Sequence, residues 1–199
     1  GPDQSVQPNP APVSPAAPDQ KPTVTFDDVP EGSYCCAAVS WAAGEGITTG
    51  VTDTLFAPNR PCTRAQLTVM LYRAAGSPSV DGLTCPFTDV APGDYCYDAV
   101  RWAAGSGIVR GTTETTFSPN ATVTRAQAAA LLHRMQGAPE PDGASGFADV
   151  PEGAYYAKAV AWAEQAGVVR GKTDTRFAPG DACTRGQIVM YLYRLMAEQ

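Results

Sequence analysis

The sequence predicts an all-α domain built from three copies of a two-helix unit, and three observations predict it. The chain repeats itself, each copy holds one apolar stripe of helical period, and each copy holds one helix-start signature. Phe26, Phe87 and Phe147 recur at intervals of 61 and 60 residues, and Trp41, Trp102 and Trp162 and Arg64, Arg125 and Arg185 follow the same register. Self-similarity at a fixed period identifies a repeat architecture, in which one unit alone cannot bury its apolar faces but stacked units can.

Each copy has the same internal order. Phe-x-Asp-Val is followed by Gly-x-Tyr, Ala-Val-x-Trp-Ala and Gly-[Ile/Val]-x-x-Gly, then by Thr-x-Thr-x-Phe-x-Pro, Thr-Arg-x-Gln and a closing Leu-x-Arg. In the first copy a helix is predicted over Tyr34–Gly44, because Tyr34, Ala38, Trp41 and Ala42 fall at i, i+4, i+7 and i+8 on one stripe. Gly46 is its stop. A second helix is predicted from Thr63, where Thr63 and Gln66 have the spacing of a capping box, repeated at Thr124/Gln127 and Thr184/Gln187. Between the two helices Gly50 and Pro58 mark a long loop, from which Phe56 is expected to turn back into the core. Residues 1–22 carry seven prolines among Ala, Gln and Ser and are predicted to be an extended linker, with Gly1-Pro2 the pair that tag removal leaves. The repeats are placed at 23–82, 83–143 and 144–199.

Composition narrows the function. The 14 Lys and Arg against 20 Asp and Glu leave a formal charge of −6, and the basic residues are scattered along the sequence, which argues against nucleic acid. No apolar run approaches the ~18 residues of a membrane span. No signal peptide is visible, so a mature fragment is expected. No Cys-x-x-Cys occurs and His133 is the only histidine, so zinc and thioredoxin-like spacings are missing and no metal or cofactor is expected. His133 stands where Tyr72 and Tyr193 stand in the other copies and reads as a helix-face residue. No nucleophile–base set stands out, so an enzyme is not expected.

These motifs, in this order and three times over, resemble the S-layer homology family. Its Thr-Arg-Ala-Glu hallmark appears here as Thr63-Arg64-Ala65-Gln66, Thr124-Arg125-Ala126-Gln127 and Thr184-Arg185-Gly186-Gln187. Gln replaces Glu in every copy and Gly186 replaces Ala in the third. The likeness covers residues 26–196. It implies three repeats arranged as a pseudo-threefold trimer in one chain. It also implies non-covalent anchoring of a larger, N-terminal surface protein to the bacterial cell wall, through an anionic polysaccharide with pyruvylated N-acetylmannosamine units. A secreted, monomeric domain with grooves between repeats is expected, and the rival expectation is a self-assembling interaction module without glycan binding.

The candidate ligand residues follow. Arg64, Arg125 and Arg185 each occupy the first helical position, where a cation opposes the helix dipole, so a compensating partner is expected. One partner is a ligand carboxylate, held by the guanidinium fork and the free N–H groups of the helix start. The other is Asp28, Asp89 or Asp149 of another repeat. The ligand reading predicts that Arg→Ala weakens wall binding while leaving the melting temperature nearly unchanged. Gln66, Gln127 and Gln187 belong to the same set. Trp41, Trp102 and Trp162 stack on sugar or pack in the core, and Gly46, Gly107 and Gly167 serve turns or let backbone approach a sugar. Arg110 and Arg170 stand where the first copy carries Thr49, so the strongest anion site is expected in a groove lined by copy two or three.

The six cysteines suggest disulfides in an oxidising compartment. Cys35 and Cys96 are repeat-equivalent, as are Cys62 and Cys183. If the position before Thr-Arg meets the first helix of the next repeat cyclically, Cys62–Cys96 and Cys35–Cys183 pair, leaving Cys36–Cys85.

Overall fold

A computed structural model describes residues 24–198, and the proline-rich segment 1–22 lies outside them. Six helices follow in order: α1 (Cys36–Gly44), α2 (Arg64–Ala74), α3 (Tyr97–Gly105), α4 (Arg125–Met135), α5 (Ala157–Gln165) and α6 (Arg185–Met196). Each repeat contributes two, and no strand longer than an isolated bridge occurs among the described residues. None of the helices is long and apolar enough to cross a membrane.

The second helix of each repeat starts as its sequence dictates. Thr63, Thr124 and Thr184 are N-caps, and each accepts from the backbone N–H of the Gln three residues on. The Gln side-chain oxygen in turn accepts from the Thr N–H at 3.0–3.1 Å. Gln therefore completes the box as Glu would. The first helix starts two residues later than its stripe suggests, at Cys36, because residues 33–35 form turns. Gly46, with φ +74°, ends it, and the Ile47 N–H returns to the Ala42 carbonyl at 2.8 Å.

The repeats pack in a cycle: α3 on α2, α5 on α4 and α1 on α6. At each contact the tryptophan of one repeat meets the closing helix of the preceding one. Trp102 lies against Tyr72, Trp162 against His133 and Trp41 against Tyr193, with ring centroids 5.4, 5.3 and 5.7 Å apart. The tryptophans thus belong to the helix seams. His133 is the helix-face residue expected, its Nε2 2.7 Å from the Pro139 carbonyl as the Tyr72 hydroxyl is 2.8 Å from that of Pro78. Phe56, Phe117 and Phe177 turn back from their loops to full burial, each against the repeat's first phenylalanine.

At the centre the three positions preceding Thr-Arg meet one another. Cys62 N–H donates to the Cys183 carbonyl, Val123 to Cys62 and Cys183 to Val123, at 2.8–2.9 Å. This corrects the disulfide expectation. All six cysteines are free thiols, so Cys62–Cys96, Cys35–Cys183 and Cys36–Cys85 are not formed. The contact that residues 62 and 183 do make is with each other and with residue 123, through the backbone of the central ring. Burial pushes the Cys62 and Cys183 thiols up to about 12.

Candidate functional site

The arginine at each helix start crosses into the next repeat. Arg64 Nε donates to the Phe117 carbonyl, Arg125 Nε to that of Phe177 and Arg185 Nε to that of Phe56, at 2.8–2.9 Å. Each guanidinium carbon lies 4.5–4.7 Å from the ring centroid of the same phenylalanine. The three residues are only 8, 3 and 4% exposed. They are fastened between repeats, which predicts that their truncation lowers stability rather than leaving it unchanged.

The helix starts themselves are not open to a ligand. Arg64 N–H donates to Ala121 and Ala65 N–H to Pro119, both at 2.9 Å. Arg125 and Ala126 donate in the same way to Asp181 and Pro179, and Arg185 and Gly186 to Arg60 and Pro58. With the third N–H held by the Thr cap, the first turn of each helix is satisfied by protein. Local sequence reads these N–H groups as free because their acceptors lie about fifty or more residues away.

Asp28, Asp89 and Asp149 do not pair with these arginines within 4 Å. Both oxygens of each accept backbone N–H groups of the Phe-x-Pro loop: Phe56 and Ala57, Phe117 and Ser118, Phe177 and Ala178, at 2.7–2.9 Å. Burial raises these carboxyls, but the backbone donors outweigh it and hold each below its ordinary value. The loops they brace carry Ala57, Ser118 and Ala178 at positive φ. Their role is to set the carbonyl that receives the arginine.

Three grooves result, one beside each second helix. The first gathers Arg60, Arg73 and Arg185 with Thr49, Gln66 and Tyr95. The second gathers Arg64, Arg110 and Arg134 with Gln127 and Tyr155, and the third Arg125, Arg170 and Arg194 with Gln187 and Tyr34. Nine of the chain's eleven arginines are thus collected in three places, although they are scattered in sequence and the net charge is −6. No Asp or Glu lines any of the three. Each Gln oxygen is spent on its cap.

Of the predicted ligand residues, the structure brings Arg64, Arg125, Arg185, Gln66, Gln127, Gln187, Arg110 and Arg170 to the grooves. Trp41, Trp102, Trp162, Asp28, Asp89, Asp149, Gly46, Gly107 and Gly167 lie elsewhere. Two sets were not anticipated. Arg73, Arg134 and Arg194 close the second helix, and their repetition in Leu-x-Arg was the available signal. Tyr34, Tyr95 and Tyr155 are 59, 69 and 66% exposed, aromatic faces at the groove mouths. Tyr34 leaves the apolar stripe because the helix starts after it.

The model of the S-layer homology domain matches residues 25–68, 86–129 and 146–189. Over 178 residues, 86% of this chain, it is 30% identical to an amylopullulanase of Thermoanaerobacterium thermosulfurigenes, and it spans 9% of that protein. It is 28% identical over 88% of its length to an exoglucanase of Acetivibrio thermocellus, of which it spans 16%. The S-layer protein sap of Bacillus anthracis is 29% identical over 55% of this chain, which corresponds to 14% of that protein. The motifs, the paired helices and the matched spans agree: this chain belongs to the S-layer homology domain family.

Proposed function

We propose that this chain is a non-catalytic anchoring module that holds a larger protein on the cell wall by binding an anionic wall polysaccharide. Family membership puts it at the bacterial cell surface. The observation that carries the ligand reading is the gathering of nine arginines into three carboxylate-free grooves. Guanidinium forks match carboxylates bidentately, and their clustering overrides the acidic net charge locally. A pyruvyl ketal on N-acetylmannosamine supplies such a carboxylate, and the exposed tyrosines supply faces for the sugar ring. The relatives named as glycan-degrading enzymes share only a small fraction of their length with this chain, which fits a module appended to catalytic domains.

Pelleting with purified cell walls tests the proposal. The chain should sediment with native walls and stay in solution with walls from which the secondary polymer has been extracted. Equal sedimentation with both would refute it, and self-association without walls would favour the lattice-forming alternative.

A further inference from the structure

The three grooves are equivalent in sequence position but not in what their arginines have left to offer. In the third groove each nitrogen of Arg125 makes a hydrogen bond: Nε to Phe177, Nη1 to the Tyr191 hydroxyl at 2.6 Å and Nη2 to the Arg170 carbonyl at 2.8 Å. Tyr191 stands where Met70 and Leu131 stand in the other copies, and its hydroxyl takes up an Nη1 donor of Arg125 that has no such partner in the other grooves. In the second groove Arg64 bonds Phe117 and, through Nη2, the Arg110 carbonyl at 2.9 Å. In the first groove Arg185 bonds Phe56 alone. Its two terminal nitrogens make no hydrogen bond among the described residues and open onto the groove, although the residue is 4% exposed. Those nitrogens are reached by solvent through the groove, so an anion entering it can replace water on them as a charge-assisted partner.

Volume and charge agree. The first cavity is about 390 Å³, within the range of small-molecule sites, and the others are about 150 and 140 Å³. Thr49 removes one arginine from the first groove, but Arg60 enters it from a position occupied by Ala121 and Asp181 in the other copies. The third cation is thus restored from another position in the inter-helix loop.

We infer that the groove of Arg60, Arg73 and Arg185 is the principal site, taking one carboxylate-bearing sugar with its carboxylate on Arg185, while Tyr191 closes the third groove. The inference rests on the anchoring reading above. Arg60, Arg110 and Arg170 make a matched test set, since all three side chains are exposed and form no hydrogen bond among the described residues.

Calorimetric titration of the whole chain with the methyl glycoside of pyruvylated N-acetylmannosamine should give one dominant site. Arg60→Ala should weaken it by about tenfold or more, Arg110→Ala and Arg170→Ala by less than about twofold. Tyr191→Leu should add a second site. Equal losses in the three arginine variants, or three equal sites in the wild type, would overturn this inference and leave the anchoring reading standing. No binding by the wild type would overturn both.

Discussion

Truncating Arg125 to alanine should cost the domain a measurable part of its stability. The guanidinium gives up a cation–π contact at 4.5 Å from the Phe177 centroid, worth about 0.5–2 kcal/mol. Its loss also leaves the Phe177 carbonyl and the Tyr191 hydroxyl without a donor, about 1–3 kcal/mol for a buried group. Water entering from the groove recovers part of this, so a net loss of about 2–4 kcal/mol is expected. For a domain of this size that lowers the melting temperature by roughly 5–15 °C. The assay is thermal unfolding followed by circular dichroism, with urea titration to check the order of variants. Arg125, Arg64 and Arg185 make three, two and one side-chain hydrogen bonds, so the losses should fall in that order. A melting temperature for Arg125→Ala within about 1 °C of wild type, or a reversed order, would refute the claim that these arginines fasten the repeats.

Three further outcomes follow from the same geometry. Asp89→Asn should cost about 1–3 kcal/mol at neutral pH, because an amide offers one acceptor to two backbone N–H groups. Since Asp28, Asp89 and Asp149 titrate below their ordinary 3.8, their contribution is present above that value and lost as pH falls through the folded-state value. Urea unfolding from pH 7 down to pH 2 should therefore show wild type converging on the Asn variant. Gly107→Ala places a side chain at φ +73° in open space and should cost about 1–2 kcal/mol, whereas Gly111→Ala would drive a Cβ to 2.7 Å from the Phe87 ring and against two carbonyls, costing about 3 kcal/mol. Equal destabilisation of the two would contradict the close approach. In the reduced, folded protein Cys36 and Cys85 should alkylate while Cys35, Cys62, Cys96 and Cys183 resist, and peptide mass mapping would show any labelling of the buried four.

The parts of the fold that were legible are those fixed by local chemistry. The 60-residue repeat, the Thr caps with their Gln partners and the stop at Gly46 each depend on residues a few positions apart. Phe56 and His133 were legible because comparison of the three copies separates core from face. The site was legible only in part, because it is made by ring closure. Arg185 meets Arg60 and Arg73 only when the last repeat returns to the first, so arginines scattered in sequence are gathered in space. The same closure brings loop carbonyls to the helix starts, consuming N–H groups that local reasoning leaves for a ligand. It also joins Cys62, Val123 and Cys183 through their backbones, a contact that pairwise matching of equivalent cysteines does not generate. Unequal grooves depend on single substitutions, Thr49, Arg60 and Tyr191, whose meaning appears only once their neighbours across the repeat boundary are known.

Arginine-lined grooves are proposed to recognise a carboxylate on the wall polymer. The most direct test of this is calorimetric titration of the chain with native wall polysaccharide and with the same polymer stripped of its pyruvyl groups. Saturable binding to the first that is lost with the second is the predicted result. Equal binding to both, or binding to neither, would contradict it.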